Sequence, residues 1–332
     1  MKVGVVGAGS WGTALAGLAA RGGHEVTLWA YEAEVAVEIE RDRVNTTYLP
    51  GVKLPALEVT SDLELCVQGR ELLLSVMPSH VVRSVWSVAG PAITGEPIVV
   101  SATKGIENVT LATMVEVLRE AIPRRLHGGL AVLSGPSFAV EVARELPTAV
   151  VVAAQRIEVA QRVQRALSSD RFRVYTSDDV PGVEVGGAAK NVVAIAAGIA
   201  DGLGLGHNTR AALITRGLAE VTRLAMAKAA NPLTLAGLAG MGDLVLTCTG
   251  ELSRNRTVGF KLGRGQSLEE IQAGTRAVAE GIRSARSCYH LALRLGVEMP
   301  ITEAVHAVLY EGLAPMEAVS RLMGRELKRE LS

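Results

Sequence analysis

No charge of either sign dominates this sequence of 332 residues: Lys and Arg together number 34, as do Asp and Glu. A formal charge of zero excludes a general binder of nucleic acid or of anionic membranes, both of which need a basic surplus. Only local basic pockets stay open. Cysteine is scarce as well. Cys66, Cys248 and Cys288 are an odd number at unrelated spacings. That suits reduced thiols in a reducing compartment, and it shows no metal-ligand pattern, so no metal is expected. Long apolar runs are missing: stretches such as 192–200 fall far short of the roughly 20 residues of a membrane span. The N-terminus enters a strand pattern directly, without a signal-peptide layout. These absences predict a cytoplasmic protein with no stable membrane insertion. Repeats and low-complexity tracts are also lacking. What is present is apolar material, 48% hydrophobic against 20% charged residues, in a length that suits about two domains with a sizeable core.

The first half alternates short β-branched runs with helical stretches. Strands are expected at 2–6, 25–30, 71–76, 97–102, 130–134 and 148–154, with a further edge strand at 172–177. Between them, 11–21, 33–42, 111–121 and 157–168 read as helices. Apolarity that is continuous rather than alternating marks strands covered on both faces, hence a doubly wound, mostly parallel sheet. After about residue 181 the strand pattern stops. Segments 211–229, 267–274, 281–296, 302–310 and 315–324 carry helical periodicity, and Ser267 with Glu270 resembles a capping box. The expected fold is α/β, with a sheet domain over 1–181 and an all-helical domain over 182–332.

The stretch "GVVGAGSWG" (4–12) spaces Gly7, Gly9 and Gly12 as G-x-G-x-x-G. It follows a strand, opens a helix and precedes a second strand, the context in which the motif signals a Rossmann-type dinucleotide site. Gly7 permits the tight turn, Gly9 lets the backbone approach a pyrophosphate, and Gly12 lets the helix pack on the sheet. The helix N-terminus offers the diphosphate free N–H groups and a positive dipole end. A merely structural glycine turn is the alternative. Trp11, on the first helical turn, reads as core or as a cofactor contact. After the second strand, an acidic residue bonds the ribose of NAD, whereas an arginine favours the phosphate of NADP. Here "WAYEAE" (29–34) supplies Glu32, places Tyr31 to stack on an adenine, and offers no arginine before Arg41. The pattern leans to NAD without excluding NADP.

Four further clusters sit where loops leave strands or helices. "SATKG" (101–105) puts Lys104 at the carboxyl end of a strand, where open α/β sheets bind ligands; a solvated lysine is the bland reading. "SGPSF" (134–138) contributes Gly135 and Ser137, donors for an anion or hydroxyl, or simply a helix cap. Asp243 follows two glycines and suits an N-cap equally well. "SRNR" (253–256) combines Ser253, Arg254, Asn255 and a second arginine; an arginine fork binds phosphate bidentately, and a solvated charge run is the alternative. In "GGAAKNVVAIAAG" (186–198), Lys190 stands alone in an apolar helix. Burial lowers a lysine's pKa and a carboxylate raises it. A lysine so tuned delivers a proton to a developing alkoxide near neutral pH and stabilises it as a cation; snorkelling to the surface is the other reading. Together the clusters suggest hydride transfer to a small phosphorylated carbonyl. Two other readings remain at this point, a dehydrogenase of 3-hydroxy acids and a non-catalytic dinucleotide sensor.

These residues resemble one family, the bacterial NAD(P)-dependent sn-glycerol-3-phosphate dehydrogenases. The matching stretches include "GAGSWGTALA" (7–16), "MPSH" (77–80), "ATKG" (102–105), "SGPSFA" (134–139), "LPTAV" (146–150), the block 186–220, "GDLVLTCT" (242–249), "SRNR" (253–256), "VAEG" (278–281) and "GVEMPIT" (296–302), in order over nearly the whole chain. The resemblance implies reduction of dihydroxyacetone phosphate to sn-glycerol 3-phosphate, the backbone precursor of glycerophospholipids. It implies Lys190 as the proton donor and acceptor. Lys104, Gly135, Ser137, Asp243, Ser253, Arg254 and Asn255 match substrate-binding positions, with Arg254 and Asn255 on the phosphate and Asp243 orienting Lys190 or a substrate hydroxyl. Ser10, Trp11, Tyr31, Lys104, Ala139, Arg254, Val278 and Glu280 match cofactor-contacting positions. Some relatives carry a basic residue where Tyr31 stands. A homodimer is a further expectation of the family, and a Lys190–Asp243 ion pair open to substrate is expected in the cleft.

Overall fold

Each apolar run of the first half becomes a strand, because its residues face helices on both sides of one sheet. The computed structural model describes residues 1–273, 279–327 and 329–330. The strands are β1 (Lys2–Val6), β2 (Glu25–Trp29), β3 (Glu58–Thr60), β4 (Leu72–Ser75), β5 (Ile98–Ser101), β6 (Leu130–Ser134), β7 (Thr148–Ala154) and β8 (Phe172–Ser177), in the order β3-β2-β1-β4-β5-β6-β7-β8. All neighbours are parallel except β6 and β7. The sheet is therefore the doubly wound, mostly parallel one expected. β8 lies at its edge, and β3, at the opposite edge, is too short and polar to stand out in the sequence. Chain order reverses between β1 and β4, the switch point outside which open sheets bind dinucleotides.

Seven helices cover this sheet: α1 (Ser10–Arg21), α2 (Ala33–Asp42), α3 (Leu63–Val67), α4 (Val82–Ala89), α5 (Met114–Ala121), α6 (Ala139–Ala143) and α7 (Ile157–Leu167). α5 starts later than its periodicity predicts, because Thr113 and Glu116 form a capping box and Leu111 takes a left-handed φ of 61°. Val5, Leu28, Leu74 and Val100 build the core on one face; Val6, Leu73, Val99 and Trp86 build it on the other.

Beyond β8 the described residues contain helices and no strand: α8 (Val180–Gly202), α9 (Gly206–Ala227), α10 (Pro232–Leu235), α11 (Asp243–Thr249), α12 (Arg254–Gly263), α13 (Leu268–Ala273), α14 (Glu280–Leu295), α15 (Pro300–Tyr310) and α16 (Pro315–Met323). The capping box before α13 forms, with Ser267 N donating to Glu270 Oε2 at 2.8 Å and Glu270 N to Ser267 Oγ at 3.2 Å. α8 is the axis of the third core, ringed by residues such as Leu224, Leu244, Val258, Leu291 and Val305. An 18-residue window of its 23 residues reaches a mean hydropathy of 1.4, longer and more apolar than the runs picked out in the sequence, because valine, isoleucine and alanine outweigh Glu184 and Lys190. That window is entirely buried, as a core helix is. A second stretch that passes the same test of length and composition, 232–249, is broken into α10, a π-helical turn and α11. At its start, Val180 and Val183 join the core beneath the sheet, so α8 is shared between the two halves of the molecule.

Candidate active site

Loops leaving the carboxyl ends of β5 and β6 meet the middle of α8 and the start of α11. Lys190 is buried on α8, its side chain 8% exposed. Its Nζ donates to Asp243 Oδ1 at 2.5 Å and to Thr247 Oγ1 at 2.7 Å. Thr247 Oγ1 donates in turn to the Asp243 carbonyl at 2.6 Å. Lys104, three residues past β5, donates its Nζ to the other Asp243 oxygen, Oδ2, at 2.7 Å and to the Gly135 carbonyl at 3.0 Å. One carboxylate, 1% exposed, thus holds two ammonium groups from opposite walls. It is the first residue of α11, and its side chain faces the lysines and makes no cap. The pair is more enclosed than the open cleft expected, since packing on α8 leaves little space around the amine.

The electrostatics follow from this enclosure. Burial lowers the Lys190 pKa, and the charge of Lys104 lowers it further; Asp243 opposes both, and the amine settles at about 8. Burial pushes Asp243 upward, but Lys104 and Lys190 outweigh it and hold the carboxyl below its ordinary range. Asp243 is therefore ionised near neutral pH, and Lys190 is the member of the pair that titrates closest to that range.

A second group of residues lies where α8 and α12 cross. A Cβ on Gly198 would meet the Arg256 carbonyl oxygen at 2.1 Å, and one on Gly259 would meet that of Ile195 at 2.0 Å. The two backbones touch, and this fixes the start of α12. Ser253 caps that helix by accepting from Arg256 N at 3.2 Å. Asn255 Nδ2 donates to Asn191 Oδ1 at 2.8 Å, and Asn255 Oδ1 accepts from Gly281 N at 2.8 Å. Arg254 is exposed and forms no hydrogen bond or ion pair with the described residues. The other arginine of the cluster, Arg256, is committed to Asp201 at 2.7 Å, beside Arg210, which makes it structural. Ser137 Oγ donates to the Gly135 carbonyl at 3.0 Å.

The glycine turn sits at the switch point. Gly7 has φ +119°, and a Cβ on it would meet the Val76 carbonyl oxygen at 2.2 Å; one on Gly12 would meet that of Gly7 at 1.8 Å. A Cβ on Gly9, by contrast, would meet nothing within 4 Å. Two glycines are thus required by packing, and the third leaves a cradle open to a ligand at the N-terminus of α1. That geometry fits a dinucleotide diphosphate. Ser10 Oγ donates to the Tyr48 carbonyl, Trp11 packs partly on the sheet core, and Tyr31 is 80% exposed, edge-on to Trp29. Glu32 lies past the end of β2 and accepts from Tyr48 Oη at 2.7 Å. Ala139 opens α6. Val278 lies outside the described residues. Glu280, at the start of α14, accepts from Ser79 Oγ at 2.9 Å and Ser79 N at 3.3 Å, and its burial raises its pKa.

A chain of contacts joins the three groups. The glycine turn packs on Val76, Ser79 of the same loop binds Glu280, and Gly281 binds Asn255. Asn255 then binds Asn191, the neighbour of Lys190. Sequence reasoning missed Thr247, Asn191, Ser79 and Tyr48. Thr247 lies four residues after Asp243, one helical turn along the same face, a spacing that marks it once Asp243 is suspected. The others carry no such local sign.

A family model described as NAD-dependent glycerol-3-phosphate dehydrogenase N-terminus matches residues 2–160, and one described as NAD-dependent glycerol-3-phosphate dehydrogenase C-terminus matches residues 179–320. The chain belongs to the NAD-dependent glycerol-3-phosphate dehydrogenase family. Within that family, a protein of Citrifermentans bemidjiense named glycerol-3-phosphate dehydrogenase (NAD(P)+) is 57% identical over 330 residues, covering 99% of this chain and 98% of that one. A protein of the same name from Anaeromyxobacter dehalogenans is 56% identical over 332 residues, the whole of both chains. A crystal structure of glycerol-3-phosphate dehydrogenase from Coxiella burnetii superposes with a TM-score of 0.93 at 42% identity, covering 98% of this chain and 99% of that one.

Proposed function

We propose that this chain catalyses reversible hydride transfer between dihydroxyacetone phosphate and sn-glycerol 3-phosphate with NAD(H) or NADP(H), and that Lys190 is its general acid and base. The observation that carries this reading is the buried Lys190 amine, held between Asp243 and Thr247 with a pKa near 8. The glycine turn and the first turn of α1, with Ser10, Trp11, Tyr31, Ala139 and Glu280, would hold the cofactor, and Val278 is added by the family resemblance alone. When bound, the nicotinamide supplies the hydride that reaches the carbonyl carbon. Lys190 delivers its proton to the carbonyl oxygen as negative charge develops there, and in the reverse direction the neutral amine takes the hydroxyl proton. Asp243 stays ionised and keeps Nζ aimed, while Thr247 fixes its second direction. Lys104, Gly135 and Ser137 line the substrate's other side. Arg254, which has no partner among the described residues, takes the phosphate, with Ser253 and Asn255 setting its position.

On this reading residues 1–181 serve the cofactor and 182–332 the substrate. The product is the backbone precursor of glycerophospholipids, and the working form is a cytoplasmic homodimer. The test is oxidation of NADH and of NADPH with dihydroxyacetone phosphate, beside unphosphorylated dihydroxyacetone and glyceraldehyde. The phosphorylated ketone is expected to be strongly preferred, and Arg254→Ala to raise its KM about tenfold or more, the worth of a charge-assisted phosphate contact. Equal rates with free dihydroxyacetone would remove the phosphate dock.

A further inference from the structure

The start of α14 carries a second exposed guanidinium without a partner among the described residues. Arg283 lies one turn after Glu280 on α14, on the same side of the helix. It is exposed, and its side chain forms no hydrogen bond or ion pair with the described residues. The bond that Gly281 N donates to Asn255 Oδ1, 2.8 Å, ties the first turn of α14 to the first turn of α12, so Arg283 and Arg254 stand on two helix starts joined to each other. Both guanidiniums act on the Glu280 carboxylate, and Arg283 also acts on His80 in the facing loop. The natural counter-ion is occupied elsewhere: Glu280 accepts from Ser79 N and Ser79 Oγ. Arg286, the next arginine along, is engaged differently, lying over the Tyr310 ring at 4.3 Å. Neither arginine has a partner among the described residues, and both stand on helix starts joined by the Gly281–Asn255 bond, an arrangement that suits a doubly charged anion.

We propose that Arg283 is a second phosphate-binding residue, closing with Arg254 on the phosphate monoester of the ketone substrate. The inference rests on the substrate class proposed above, and the parent enzyme's preference for the phosphorylated ketone tests that class separately. The same chemistry has a second source, the diphosphate of the cofactor, so the experiment has two arms. Arg283→Gln is assayed for KM and kcat with dihydroxyacetone phosphate and with free dihydroxyacetone, and NADH affinity is measured by fluorescence without ketone. The expected result is a KM for the phosphorylated ketone raised about tenfold, the loss of one charge-assisted contact. Melting temperature, NADH affinity and the slow rate with free dihydroxyacetone should stay within about twofold of the parent or unchanged. Arg286→Gln removes the same charge one turn away and should leave this KM near the parent value. An unchanged KM in Arg283→Gln overturns the proposal. So does a loss confined to NADH affinity, which would assign Arg283 to the cofactor. An equal rise in Arg286→Gln also overturns it, reducing the effect to a diffuse field.

Discussion

The two sides of the candidate site, sheet and helical, are built by different means. On the sheet side the glycine turn works through backbone: Gly7 and Gly12 are packed against carbonyl oxygens, and Gly9 faces open space. On the helical side the work is done by side chains of distant origin. Lys190 and Asp243 stand 53 residues apart in the chain, and Lys104 and Asp243 stand 139 apart. A backbone site can be written as one short motif, because neighbouring residues build it. A site of buried charges needs tertiary packing to exist, and the same packing sets its chemistry by moving pKa values.

The sharpest break of this comparison is Lys190→Ala. It should lower kcat by roughly 10²–10⁴-fold, the usual worth of a general acid, and leave NADH affinity, a property of the other wall, nearly unchanged. Steady-state kinetics beside NADH titration check this, and parent-like turnover would take Lys190 out of the mechanism.

A paired substitution sharpens the sheet side. Gly12→Ala drives a methyl into the Gly7 carbonyl and should cost roughly 1–3 kcal/mol of stability, as overpacking does. Gly9→Ala meets nothing in the protein, so its melting temperature should match the parent while its NADH Kd rises about tenfold, a clash of about 1.4 kcal/mol. Equal melting losses in both would show that the two glycines do the same job.

The pH dependence reads the helical side. With Lys190 at about 8, kcat/KM for ketone reduction should fall as pH rises through that value, because the acid form is lost. The oxidation of sn-glycerol 3-phosphate should rise over the same interval, because the neutral amine is the base. Profiles that moved together would sink the assignment.

The smallest effect concerns Glu220 on α9, whose carboxylate accepts from Ile301 N at 2.7 Å and Thr302 N at 3.2 Å. Burial raises its pKa to about 7 from 4.5, so its contribution to stability is full below about 4.5 and is lost as pH rises through 7. Relative to the parent, Glu220→Gln should therefore gain melting temperature as pH climbs across that window. A constant offset between the two would show that Glu220 does not titrate there.

The sequence by itself determined the strands, because residues covered on both faces must be apolar without interruption, and it determined the tight turn after β1, because only glycine fits at Gly7 and Gly12. It marked Lys190 as out of place in an apolar helix, whereas Asp243 and Arg254 read equally well as a helix cap and a solvated charge until the family resemblance singled them out. Other features were decided only by tertiary structure. The pairing of Asp243 with two lysines, the capture of Arg256 by Asp201 and the support from Thr247, Asn191 and Ser79 are of this kind. Local rules describe neighbours in the chain, whereas the partner of a buried charge is chosen by whichever helix or loop the fold packs against it.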